Sequence, residues 1–256
     1  MNVWSTLFIG LILAAAACYP TWQSIIHQAP IPIFPLGWAM TGLAYMSVFF
    51  HEIGHSLTAW FYGYPSIPTF DFKHGGGLAP FWGDGSFLIV LCVAALLGYG
   101  IYLLQGWLVM QIVLGVLIVL ELTTFWNEDI RMGMIDFMGP GAVPLVAGFL
   151  LWRAVFDLAP RGSFERVLNA AFGFGMIFRV FIDSYGLLYN QVHRLLYYQQ
   201  KGSHGFGDFD KIASRFYWLD FETVVLFWAG LAAVCLVFPL LMGLILNRSR
   251  NELDSF

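Results

Sequence analysis

Apolar residues in this chain come in long unbroken runs separated by short polar stretches. They do not alternate at the period of a strand or form the one-sided stripe of a surface helix. Seven runs can be drawn, at about 3–19, 36–62, 86–104, 107–126, 137–156, 168–190 and 222–246. A run of roughly 20 apolar residues is what a helix needs to cross the hydrocarbon of a bilayer. Backbone polar groups in lipid must bond within their own segment, so each run is predicted helical. Only Gln105 and Gly106 separate the third and fourth runs, which therefore form a tight hairpin or one bent span. Pro20, Pro30, Pro32 and Pro35 punctuate the first connection, and Gly63, Pro65, Pro68 and Gly75-Gly76-Gly77 mark the second as a loop. No internal repeat is visible, so a repeat-built transporter gains no support. The pattern predicts an all-α, polytopic transmembrane bundle of about six or seven spans. It reads as a single membrane-embedded domain over 1–256, with 191–221 as an interfacial loop.

Composition agrees with the pattern. Of 256 residues, 59% are apolar or aromatic and 11% are charged, against about one quarter charged in a soluble domain. A disordered chain, a disulfide scaffold and an ordinary soluble globule are excluded. The net charge of −4 and 12 scattered basic residues point to no nucleic-acid partner. Cys18, Cys92 and Cys235 each sit in an apolar run and read as buried apolar side chains. The start of the chain lacks the basic region of a signal peptide, and Ala15-Ala16-Ala17-Cys18 is only a faint lipoprotein-like cleavage pattern. Trp38, Trp60, Trp82, Trp107, Trp126 and Trp152 fall near run ends, where aromatic belts form. Strict alternation of the seven runs puts six Lys and Arg on the side of the N-terminus and five on the other. The positive-inside rule does not orient the chain on that margin.

Against this background one cluster stands out. His51-Glu52-Ile53-Gly54-His55 is an H-E-x-x-H pattern inside the run 36–62. Residues four apart share a helix face, so the two imidazoles can hold one zinc ion while Glu52 acts as general base on water. With 6 His in the chain, a chance match is expected in roughly 3 of 1,000 such chains. Ionisable groups at lipid depth are expensive and mark function. The bland alternative is a pair of hydrogen-bonded core histidines beside a paired glutamate. A di-iron desaturase or hydroxylase needs further histidine boxes, and His27, His74, His193 and His204 form none.

These residues, with the loop Lys73-His74-Gly75-Gly76-Gly77 and a later Asp-containing run, resemble the site-2 protease family of intramembrane zinc metallopeptidases. The resemblance spans roughly 36–156 and is sharp at 51–55. It implies that His51 and His55 bind Zn²⁺, that Glu52 activates water, and that a distant aspartate completes the ligand set. It also implies a membrane protein or peptide as substrate, cut within or near a transmembrane segment. The family's Asp-Gly motif is replaced here by Gly133-Met134-Ile135-Asp136-Phe137-Met138-Gly139-Pro140, and no Gly-Pro-x-x-Asn stretch lies between the two motifs.

The third ligand must come from another helix at a similar depth, about 10 Å below the side of the membrane that holds the N-terminus. Asp136 is placed first. It starts a run from that side, and Gly139 and Gly141 nearby permit close helix approach. Its alternative is an N-terminal helix carboxylate. Asp129 and Glu128 come next, their alternative being a solvated turn paired with Arg131, and Glu121 after them. Asp183 reads chiefly as an ion-pair partner of Arg179, four residues earlier. The loop 63–85 is either a connector or a strand-like platform for substrate beside the metal. Stretch 191–221, aromatic and basic, reads as an interfacial anchor ahead of a lid over the site. Asn127, Asn190 and His193 are unranked candidates for oxyanion support. The resulting expectation is a zinc-dependent intramembrane endopeptidase with Glu52 catalytic and His51, His55 and Asp136 on the metal. A catalytically silent scaffold and a metal-binding transporter are the alternatives.

Overall fold

The computed structural model describes residues 2–27, 35–71, 76–199 and 206–253. Each of the seven apolar runs is a helix: α1 (Val3–His27), α2 (Leu36–Phe61), α3 (Phe87–Leu103), α4 (Leu108–Thr124), α5 (Glu128–Val155), α6 (Ser163–Tyr189) and, last in the chain, α9 (Phe221–Leu253). Between α6 and α9 lie two short helices, α7 (Gln191–Gln199) and α8 (Asp208–Arg215). A small antiparallel hairpin follows α2, with β1 (Thr69–Asp71) paired to β2 (Gly76–Leu78). Pro30, Pro32, Lys73, His74, Gly75, His204 and the side chain of His27, all named above, lie outside the described residues.

Among the described residues, four helices are long and apolar enough to cross a membrane: α1 through Ile26, α5, α6, and α9 through Leu246. Helices α3 and α4 are apolar but only 17 residues each. Helix α2 has the length, yet it carries the His51–His55 motif together with Ser47, Ser56 and Thr58, and it is not one of the four.

Helix α5 is the hub. It packs against α2, α6, α8 and α9, and α1 packs mainly on α6. The sequence explains that centrality. Gly133, Gly139, Gly141, Ala142, Ala147, Gly148 and Ala154 are small and buried along α5, which lets neighbouring backbones come close. Pro140 and Pro144 interrupt its internal hydrogen bonds. Pro144 has no N–H to give the Pro140 carbonyl four residues back. The Trp228 indole of α9 donates to that carbonyl instead, at 2.8 Å. The α5–α6 turn is closed by buried Arg166. It donates to the Ala154 and Val155 carbonyls at 2.6 and 3.1 Å and pairs with Asp157 at 3.3 Å. This is a cation satisfying the open C-terminal carbonyls of a helix. Arg179 and Asp183 form the expected pair within α6, at 3.5 Å.

Of the cysteines, Cys18 is buried and Cys235 half-buried, but Cys92 is exposed on the outer face of α3. The expectation of burial fails for Cys92 because α3 touches little besides α4 and α2. An apolar run in this chain does not imply an enclosed one.

Candidate metal centre

His51 and His55 stand one turn apart on α2, with their rings edge to face at 4.7 Å. Their Nε2 atoms lie 3.1 Å from each other. The third member comes from 153 residues beyond His55. Asp208, at the start of α8, places Oδ2 3.0 Å from His51 Nε2 and 3.5 Å from His55 Nε2. Among the described residues these three side chains form a group able to hold a metal ion, with all ligand atoms within 4.8 Å. The His55 and Asp208 side chains are only 12% and 11% exposed. Tetrahedral bonds of about 2.0–2.1 Å leave neighbouring ligand atoms about 3.3 Å apart. The three separations bracket that value, so this donor set fits zinc.

The surroundings set the ligand atoms. His55 Nδ1 donates to the Ile135 carbonyl of α5 at 2.7 Å. A bond there turns the Nε2 lone pair toward a metal and holds the ring plane. Asp208 Oδ1 accepts from Lys211 Nζ at 3.2 Å, which leaves Oδ2 to face the imidazoles. Burial raises the Asp208 carboxyl, but hydrogen bonds from His51 and His55, and their charge when they are protonated, outweigh it and hold the group well below the usual carboxylate range.

Glycine makes the close packing possible. A Cβ on Gly54 would collide with the Met138 carbonyl, and one on Gly139 would collide with the His55 ring. Helices α2 and α5 therefore meet nearly backbone to backbone beneath the two histidines. Glu52 points away from this contact and is buried at 6% exposure. Strand β2 lies against it: a Cβ on Gly77 would stand 2.8 Å from both Glu52 Cδ and Oε1. The hairpin is moored to α2 by Phe70 stacked on Phe49 at 5.0 Å. The Ser56 and Ser66 hydroxyls bond each other at 3.1 Å, and Trp60 Nε1 donates to the Ser66 carbonyl at 2.8 Å.

The structure therefore brings His51, Glu52 and His55 together, as the motif implies, but gathers a different carboxylate from the one the sequence puts first. Asp136 turns its carboxylate to α8, where Arg215 Nε lies 3.3 Å from Oδ2 and Lys211 Nζ 3.9 Å from Oδ1. Glu128 and Asp129 occupy the first turn of α5, behind Asn127, whose side chain accepts from the Ile130 N–H at 3.1 Å. Arg131 lies over the Phe125 and Tyr64 rings at 4.9 and 5.7 Å. Glu121 is fully buried on α4 and is not part of the metal group. Asn190 accepts from the His193 N–H at 3.0 Å, so its side chain caps α7. His193 Nε2 faces Asp183 at 3.9 Å.

Asp208 escapes the sequence reading because a third ligand is expected from another helix at a similar depth, whereas 191–221 reads as an interfacial anchor. The usable signal was position: strict alternation of the seven apolar runs puts stretch 191–221, with its Gly207-Asp208-Phe209-Asp210, on the same side as the end of the run that carries the motif. Comparison of the chain with family models, curated proteins and solved structures returns no match.

Proposed function

We propose that this chain is a multi-pass membrane zinc endopeptidase that hydrolyses peptide bonds of membrane-embedded substrates. His51, His55 and Asp208 hold the ion. The observation that carries the reading is their convergence one residue from a buried Glu52. Zinc in such a site supplies Lewis acidity toward the scissile carbonyl and lowers the pKa of water toward neutrality.

The protein's own groups do the rest. Glu52 takes the proton from the attacking water and returns it to the leaving amine nitrogen. Its burial beneath β2 keeps bulk water from competing for that proton. The Ile135 carbonyl fixes the His55 ring throughout. Helices α3 and α4 complete the wall of the site within the bilayer despite their shortness, as does α2 with its polar motif. On this reading all seven apolar helices belong to the membrane domain.

The test is zinc content and cleavage measured together. Purified protein should hold about one zinc per chain, and His51→Ala, His55→Ala and Asp208→Ala should each lose it. Glu52→Gln should keep the metal and lose roughly 10²–10⁴-fold in cleavage of a panel of transmembrane substrates. Folded wild-type protein without metal rejects the reading. Metal with equal cleavage by wild type and Glu52→Gln removes Glu52 as the base and leaves a metal-binding scaffold or transporter.

A further inference from the structure

Asp136 is not in the metal group, yet its carboxylate faces the helix that bears the third ligand. Helix α8 has eight residues, with Asp208 first, Lys211 a turn later and Arg215 another turn on. A helix this short does not hold itself together in isolation. Its position comes from what it docks on, and much of that is one face of α5.

Gly133, Asp136 and Gly139 recur every three residues along α5 and so share a face. A Cβ on Gly133 would stand 2.6 Å from the Phe216 ring at the end of α8, so glycine there leaves the notch that the ring fills. Asp136 takes the two cations of α8. Gly139 takes the His55 ring. One of those cations, Lys211, reaches Asp136 Oδ1 at 3.9 Å and Asp208 Oδ1 at 3.2 Å. The charge of Asp136 thus fixes an ammonium that in turn orients the Asp208 carboxylate, with Oδ2 toward the histidines.

We propose that Asp136 is a positioning residue: through Lys211 and Arg215 it docks α8 so that Asp208 completes the metal centre. This rests on the reading of His51, His55 and Asp208 as a zinc site.

Zinc affinity of the full-length protein in detergent, measured by chelator competition, tests it alongside the absorption spectrum of the cobalt-substituted form. Asp136→Asn should weaken zinc about 10–100-fold, the range seen when a group supporting a ligand is lost. Arg215→Gln should weaken it in the same direction, and both should alter the cobalt bands. Asp136→Glu, which restores the charge, should recover most of the affinity. Were Asp136 itself a ligand, Asp136→Asn would lose metal while Arg215→Gln kept wild-type affinity and spectrum; that pattern overturns the proposal. So does unchanged affinity in Asp136→Asn. If Asp136→Asn does not fold, Arg215→Gln and Lys211→Met, both on a partly exposed face, decide the matter, and unchanged affinity in both overturns it. A wild type that binds no zinc overturns the metal-centre reading itself. Loss of zinc in Asp208→Ala with Arg215→Gln and Lys211→Met both unaffected overturns the positioning role alone.

Discussion

At the scale of single residues, the proposed metal centre depends as much on what is missing from glycine as on what histidine and aspartate supply. The His55 ring occupies the space where a Cβ of residue 139 would be, and its Nδ1 bond to Ile135 leaves it no second orientation. Gly139→Ala should therefore push the ring out of line and weaken zinc binding at least tenfold, with an overpacking cost of about 1–3 kcal/mol. Gly141→Ala is the control. Its Cβ would meet only the Phe137 and Met138 side chains, at 3.1 Å or more, and zinc affinity should stay near wild type. Equal effects of the two substitutions would mean that helix propensity, not the His55 ring, governs this stretch. Three of the site's residues were legible because a helix puts positions 51 and 55 on one face by local geometry alone. Asp208 was not, since nothing local ties residue 208 to residue 51. Its place depends on how α8 docks, a tertiary outcome with no periodic signature.

At the scale of elements, hydropathy marked the apolar core of each helix well and its ends poorly. The run predicted from 137 begins as α5 at Glu128, because Asn127 caps it and two acids suit its first turn. The run predicted from 168 begins as α6 at Ser163, with Glu165 in the first turn. Stretch 191–221 read as a loop, yet it contains two short helices. Asp210 caps α8 by accepting the Gly207 N–H at 3.1 Å. In each case polar residues end the hydrophobic run while the backbone hydrogen bonds continue. Helix α5 also shows an element-level dependence. Its Pro140 carbonyl has lost its helical donor to Pro144 and relies on Trp228. Trp228→Phe keeps a ring and removes the N–H, so a buried carbonyl is left unpaired at a cost of about 1–3 kcal/mol. Thermal unfolding in detergent should show a lower midpoint for Trp228→Phe. An unchanged midpoint would mean that water or another donor replaces the indole.

At the scale of the whole molecule, exposure is distributed as expected of a chain held in an apolar solvent. Leu88, Leu96 and Tyr102 on α3, and Val109, Val116 and Val119 on α4, are each at least 60% exposed. Val90 on α3 and Glu121 on α4 are the buried residues of those two helices. At 17 residues each they are about 25 Å long, slightly less than the roughly 30 Å of bilayer hydrocarbon. A small mismatch of this kind is absorbed by local thinning of the bilayer or by flanking interfacial residues. Trp107 and Trp126, flanking α4 and exposed at 69% and 74%, are suited to anchoring its ends. Cys92 provides a direct probe of this arrangement. It is the exposed cysteine of the three, six residues into α3 and surrounded by apolar side chains. If α3 lies in hydrocarbon, a charged maleimide added to both faces of intact membranes should leave Cys92 unmodified. The same reagent should label it after the bilayer is dissolved in denaturing detergent. A Cys18→Ala, Cys235→Ala background assigns the signal to this one thiol. Rapid labelling in intact membranes would place α3 against water and remove the α3–α4 hairpin from the wall of the site.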